Sequence, residues 1–300
     1  MIDTAIPPHV LRRVIDTALE EDAPWGDVTS DVFIPADATA TATLTAREPG
    51  VFSGGGVFAA VMAAVDPTIK VVLGVQDGCA FAAGDDLATV HGSARAVLRA
   101  ERVALNLVQR MSGIATTTAR YVAAVAGTDA RVVDTRKTTP GLRALERHAV
   151  RCGGAHNHRT SLSDAVLAKD NHLAVIEARG IGLGDAVRQA RAQLGHTVHL
   201  EVEVDRIDQI EPVVAAGVDT VMLDNFTPAM LREGVAIVAG RALVEASGGV
   251  DLGTIAAIAA TGVDVISVGA LTHSARALDL GLDVVVAGSA PAPASASVEA

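Results

Sequence analysis

From Arg131 onward the chain alternates short Val/Ile/Leu runs with Ala-rich segments. RVVDT, AVLAKD, HLEVEV, TVMLDN, ALVEAS and VDVISVG follow one another within about 140 residues. Apolar runs that alternate with helices predict a parallel sheet, and six such units predict a closed or nearly closed α/β barrel. Each run ends in polar residues: Asp134 to Lys137, Lys169-Asp170, Glu203 and Asp205, Asp224-Asn225, Glu245 and Ser247, then Gly269 and His273. Barrels of this type carry their active site at the C-terminal rim of the strands, so these groups are expected to converge there.

The residues before Arg131 have a different texture. Thr39 to Ala46 alternates with period two, Ile69 to Val75 is a second apolar strand, and Asp77-Gly78 is a hairpin-type turn, which together predict a small sheet domain. Gly54-Gly55-Gly56 lacks the Lys-Ser/Thr of a phosphate-binding P-loop and reads as a backbone turn into a helix over Val57 to Val65. An apolar stripe from Val10 to Leu19, opened by Pro-Pro, predicts a packing helix, and Asp27 beside Gly26 reads as a turn or cap residue. Ser93 stands ready to cap a long amphipathic helix that contains Arg102, which on spacing alone is a solvated helix charge. The expected organisation is an N-terminal α/β sandwich domain over 1–113, the barrel over 114–284, and a disordered Ala/Ser/Pro tail over 285–300.

Charge narrows the partner. The protein carries a net charge of −11, yet residues 134–172 hold seven Lys/Arg against four Asp/Glu, with four histidines, His148, His156, His158 and His172. A cationic pocket in an anionic molecule focuses its field on small, multiply negative ligands and discourages polyanions. With aromatic residues at 2%, the stacking surface for nucleic acid is missing as well. Cys79 and Cys152 have no partner spacing, which fits a reducing compartment. No apolar run approaches the roughly 18 residues of a membrane span, and the expected location is the cytoplasm.

Ser247-Gly248-Gly249 and Gly269-Ala270 would let backbone N–H groups approach a phosphate monoester where barrels often bind one, with His273 at the next helix start; plain strand-to-helix turning is the competing reading. Glu203 and Asp224 end adjacent strands and admit three readings: an acid/base pair, oxygen ligands of a hard cation, or acceptors for ribose hydroxyls.

The ordered motifs AERVALNLVQRMSGIAT, DTRKTTPGLR, NHR, KDNH, EVEVD, LDNF, EASGG and VGALTH resemble the quinolinate phosphoribosyltransferase family, from about Glu21 to Asp283. The resemblance implies transfer of a phosphoribosyl group from 5-phosphoribosyl 1-diphosphate to quinolinate with loss of CO2, giving nicotinate mononucleotide. It implies a dianionic ring acid held by Thr135, Arg136, His158, Arg159 and Lys169, and a 5′-phosphate held by Ser247, Gly248, Gly249, Gly269, Ala270 and His273. Lys137, Lys169, Glu203 and Asp224 are the implied catalytic groups, Lys137 serving the diphosphate. Glu203 and Asp224 are implied to face ribose hydroxyls or Mg2+ brought in on the diphosphate. A homodimer, or a multiple of dimers, is implied in which Arg102 reaches the neighbouring subunit's pocket.

Three rivals stand beside this reading: a barrel lyase using Lys169 as a Schiff base, a molybdate-gene-linked relative of the same fold, and a non-catalytic sensor of a pyridine dicarboxylate. His156 departs from the family pattern and is either a neutral wall residue or an alteration of the pocket. Arg143, Arg147, Arg151 and His148 are spaced like the outer face of a helix and read as mostly solvated or subunit-contact residues.

Overall fold

A computed structural model describes residues 6–285; the tail expected beyond them lies outside the described residues. The chain forms two compact units, one of Pro7–Arg110 together with the segment from Ala277, the other containing Met111–Arg276.

The first unit contains α1 (Pro8–Asp22), α2 (Val28–Phe33), β1 (Thr39–Ala46), β2 (Gly50–Val51), α3 (Gly55–Val65), β3 (Lys70–Leu73), β4 (Ala80–Phe81) and β5 (Asp86–Ser93). An antiparallel sheet orders β3, β5, β1 and a last strand, Leu280–Val285. The Thr/Ala alternation of β1 works as its period predicts, with Ala40, Ala42, Leu44 and Ala46 buried. Asp27 caps α2 by accepting from Thr29 N and Ser30 N, each at 3.1 Å. Gly54, at φ 100°, turns the chain into α3, and the Asp77 carboxylate accepts from Gly54 N and Gly55 N at 3.0 and 2.9 Å. That carboxylate takes the N–H donors a phosphate would need. Asp77-Gly78 is a turn, but β3 pairs with β5 and β4 with β2, so its flanks form no hairpin. The sequence reading ends the barrel at 284; the LGLDVV strand instead joins β1, with Leu280 and Leu282 buried. Helix α4 (Ala94–Ala124) begins in this unit, buries Val97, Val103, Leu107 and Val108, and leaves Arg102 exposed.

The second unit holds six parallel strands: β6 (Arg131–Val133), β7 (Val166–Ala168), β8 (Leu200–Val204), β9 (Thr220–Asp224), β10 (Leu243–Ser247) and β11 (Val265–Ser267). They pair in the order β7, β8, β9, β10, β11, β6, which is chain order with one break. Between them run α5 (Arg143–Cys152), α6 (Asp170–Glu177), α7 (Leu183–Gln193), α8 (Ile210–Ala215), α9 (Pro228–Val238) and α10 (Ile255–Ala259), and α11 (Ala270–His273) follows β11. Every residue of β8 is buried, as expected of a strand covered on both faces. Among the described residues β6 and β7 do not pair. The backbone of His156 lines β6 instead, donating from N to Val132 O at 2.9 Å and accepting at O from Asp134 N at 3.2 Å. The His156 side chain is exposed and is not among the residues that line the cavity described below. Among the described residues no helix is long and apolar enough to cross a membrane.

Candidate active site

One cavity of about 530 Å³ is lined by residues from, or just after, all six barrel strands, so the sheet closes around it. Thr135, Arg136 and Lys137 follow β6, Lys169 follows β7, and Glu203, Asp224 and Ser247 come from β8, β9 and β10. The 134–165 connection adds His158 and Arg159. Gly269, Ala270 and His273 are not among its lining residues, although a Cβ on Gly269 would lie 3.0 Å from Lys137 Cδ. Glu203 and Asp224 both reach the cavity at different depths: Glu203 is level with Met222, whereas Asp224 is level with Ser247 at the rim.

The cationic side begins with Asp134, which is wholly buried. Its carboxylate accepts from Arg147 Nη1 at 3.2 Å, Asn157 Nδ2 at 2.7 Å and the backbone N of His158 at 2.7 Å. Burial drives its carboxyl above the usual aspartate range while these donors pull it down. Arg147 is therefore a buried ion-pair partner rather than a solvated helix charge. Arg143 donates to Thr138 Oγ1 and Thr160 O, at 2.9 and 3.1 Å, and Arg151 binds Asn157. The polar face of α5 looks onto two loops, not water, which helical spacing cannot distinguish.

Arg159 Nη1 donates to Ala165 O at 2.9 Å. Burial, and then the like charge of Arg136, lowers the Arg159 guanidinium from its ordinary value. Arg136 Nε is buried with no hydrogen-bond partner among the described residues. Two guanidiniums that repel each other, one with an idle buried donor, are suited to a planar dicarboxylate.

His158 is held from below. Its Nε2 lies 3.2 Å from Glu201 Oε2 and 3.5 Å from Glu245 Oε2, while its Nδ1 accepts from Arg159 N at 2.7 Å. Burial works against a charged ring, while the two carboxylates favour one and raise the imidazole above its ordinary value. A second ring proton would have to sit on Nδ1, where the Arg159 N–H already points. That contact opposes the second ring proton and holds the Nε2–H tautomer; burial also pushes the Glu201 carboxyl up, to about 6. Both ring nitrogens are engaged, one by the two carboxylates and the other by Arg159 N, while His158 lines the cavity.

After β7, Lys169 Nζ donates to Glu203 Oε2. Asp224 Oδ2 accepts from Asn225 Nδ2 at 2.6 Å. Asn225 and Gly248 both adopt positive φ, 60° and 89°, and a Cβ on Gly248 would lie 2.2 Å from Asn225 Oδ1. The strand-end turn thus requires glycine there.

The sequence match is of the same extent as the fold. Residues 27–112 match the family model described as Quinolinate phosphoribosyl transferase, N-terminal domain, and 114–283 its C-terminal domain counterpart. The chain belongs to the quinolinate phosphoribosyltransferase family. Among its relatives, the Mycobacterium leprae nicotinate-nucleotide pyrophosphorylase [carboxylating] is 44% identical over 91% of this chain and 96% of its own length. A probable enzyme of that name from Bacillus subtilis is 38% identical over 92% and 94%. The crystal structure of NadC from Streptococcus pyogenes superposes with a TM-score of 0.88 at 39% identity, covering 94% of this chain and 99% of that one. The two family domains divide at 112–114, near the sequence boundary, whereas by contact the family's last strand rejoins the first unit.

Sequence spacing does not single out Glu201 or Arg147 as site residues, and it marks Asp134 and Glu245 only as strand ends. A signal existed in EVEV: at period two, Glu201 must face the same interior as Glu203.

Proposed function

We propose that this chain transfers the phosphoribosyl group of 5-phosphoribosyl 1-diphosphate to the ring nitrogen of quinolinate and releases diphosphate and CO2. The product is nicotinate mononucleotide, a precursor in NAD biosynthesis. The observation that carries the reading is the Arg136–Arg159 pair, set in one cavity with the Ser247–Gly249 turn. The guanidiniums hold the ring acid by its carboxylates and the turn takes the 5′-phosphate, which brings the ring nitrogen to the ribose C1. The C1–oxygen bond to diphosphate breaks and the nitrogen lone pair forms the new bond. The C2–carboxylate bond then breaks beside the cationic nitrogen, its electron pair stays on the ring carbon, and a proton replaces CO2. This chemistry needs positioning and charge stabilisation, without a protein nucleophile.

Lys137, adjoining Gly269, serves the departing diphosphate, and Asp224 accepts from the ribose hydroxyls. Lys169 donates to Glu203 at the cavity wall, which disfavours the Schiff-base reading because that chemistry needs an unengaged, nucleophilic amine. Glu203 and Asp224 are all-oxygen donors and fit a hard cation such as Mg2+, with Asp224 the less engaged of the two. Bound with the diphosphate, such an ion neutralises charge on the leaving group.

The proposed assembly is a homodimer or a multiple of it, working in the cytoplasm, in which Arg102 completes the partner's pocket. The exposed apolar face of α2 and the turn before it, Trp25, Val28, Val32 and Phe33, supports self-association. Purified protein with Mg2+, quinolinate and 5-phosphoribosyl 1-diphosphate is expected to form nicotinate mononucleotide and CO2 in equal amounts. No product, with both substrates shown to be intact, would remove the reading.

A further inference from the structure

We infer that Glu201 and Glu245 are positioning residues that grip His158 by its Nε2 and, through its Nδ1, fix the backbone of Arg159. What Arg159 binds rests on the function proposed above; the linkage itself is geometric. Glu201 and Glu245 stand on β8 and β10 with β9 between them, and both are 3% exposed. Their Oε2 atoms converge on one ring nitrogen at 3.2 and 3.5 Å, and the other nitrogen accepts from Arg159 N at 2.7 Å. Asp134 holds the preceding backbone N–H, that of His158, at 2.7 Å. Consecutive amides are therefore pinned, the first by a carboxylate and the second by the imidazole. The far end of Arg159 is tied by Nη1 to Ala165 O. The guanidinium is fixed at base and tip before any ligand arrives, and the ordering cost of binding falls accordingly.

Stability alone gives a poor reason for this cluster. Oε1 of Glu201 and Oε1 of Glu245 are buried with no hydrogen-bond partner among the described residues. Under-satisfied acids inside a barrel add less than apolar side chains of similar size would. Their placement makes sense if they hold His158, and the effect of removing them then falls on the ring-acid subsite while the phosphoribosyl side is spared.

Two measurements test this. In long-range proton–nitrogen spectra of histidine-labelled wild type near neutral pH, with His158 assigned by comparison with His158→Asn, Nδ1 is expected to be unprotonated. In steady-state kinetics, Glu201→Ala and Glu245→Ala are expected to raise the KM for quinolinate about tenfold or more, and the KM for 5-phosphoribosyl 1-diphosphate by less than about twofold. Glu201→Gln keeps an acceptor for Nε2–H and can donate to Glu245, and should recover most of the loss. A protonated Nδ1 in wild type overturns the linkage. So does an unchanged quinolinate KM in folded alanine variants, or an equal rise for both substrates. If the alanine variants do not fold, the wild-type spectrum and the glutamine variant decide. An inactive wild type would count against the proposed function alone, and the tautomer would still judge the linkage.

Discussion

Arg147 Nη1 lies 3.2 Å from the wholly buried carboxylate of Asp134, which ties helix α5 to the end of the first barrel strand. The same carboxylate holds Asn157 and the backbone of His158, so one acid organises the helix and the loop that bear most of the site's cations.

Removing one partner leaves the other buried and unpaired. Arg147→Ala is expected to lower stability by about 3–5 kcal/mol in urea denaturation. Asp134→Ala combined with Arg147→Met should recover much of that, because the double variant buries no lone charge. Additive losses in the double variant would show that the two side chains act independently.

Arg136→Ala and Arg159→Ala each remove a charge-assisted fork from a partly desolvated carboxylate. Quinolinate binding should weaken by roughly 2–5 kcal/mol, while 5-phosphoribosyl 1-diphosphate binding changes little. Calorimetry with each ligand separately checks the division; equal weakening would refute it.

Gly248→Ala must adopt φ near 89° and place its Cβ 2.2 Å from Asn225 Oδ1 and 2.8 Å from Asn225 N. Strain of about 1–3 kcal/mol, with displacement of the turn, should weaken binding of ribose 5-phosphate compounds and spare quinolinate. Unchanged affinity for those compounds would take this turn out of the phosphate site.

Arg102 lies exposed on α4, outside the barrel unit. If it completes a partner's pocket, Arg102→Ala and Lys169→Ala are each nearly inactive, and mixing them restores activity to about a quarter of wild type, since half the dimers are hybrids with one intact site. Proven subunit exchange without recovery would place Arg102's effect within its own chain.

The barrel was legible because its signal is repetitive: six apolar runs, each closed by polar residues, leave few alternatives once the strands are parallel. The cavity residues at strand ends follow from the same rule. Less legible was anything set by how loops fold back. Arg147 and Arg102 have the same appearance in sequence, a cation on an amphipathic helix, yet one is 9% exposed against a carboxylate and the other faces outward. His158 lines the cavity, but the direction of its nitrogens depends on Glu201 and Glu245, each more than forty positions away. Likewise, nothing in LGLDVV says which unit's sheet it joins; that depends on an edge left open beside β1.

The break between β6 and β7 gives the barrel wall a seam. Elsewhere around the ring neighbouring strands share ladder bonds, but here His156 bridges to β6, and among the described residues β7 has no ladder partner on that side. Arg136, Lys137, His158 and Arg159 all belong to the segment that crosses this seam, so side-chain contacts such as those of Asp134 and Arg159 hold the wall on the line where its cations stand, whereas β8, β9 and β10, which carry the acids, are joined by continuous ladders.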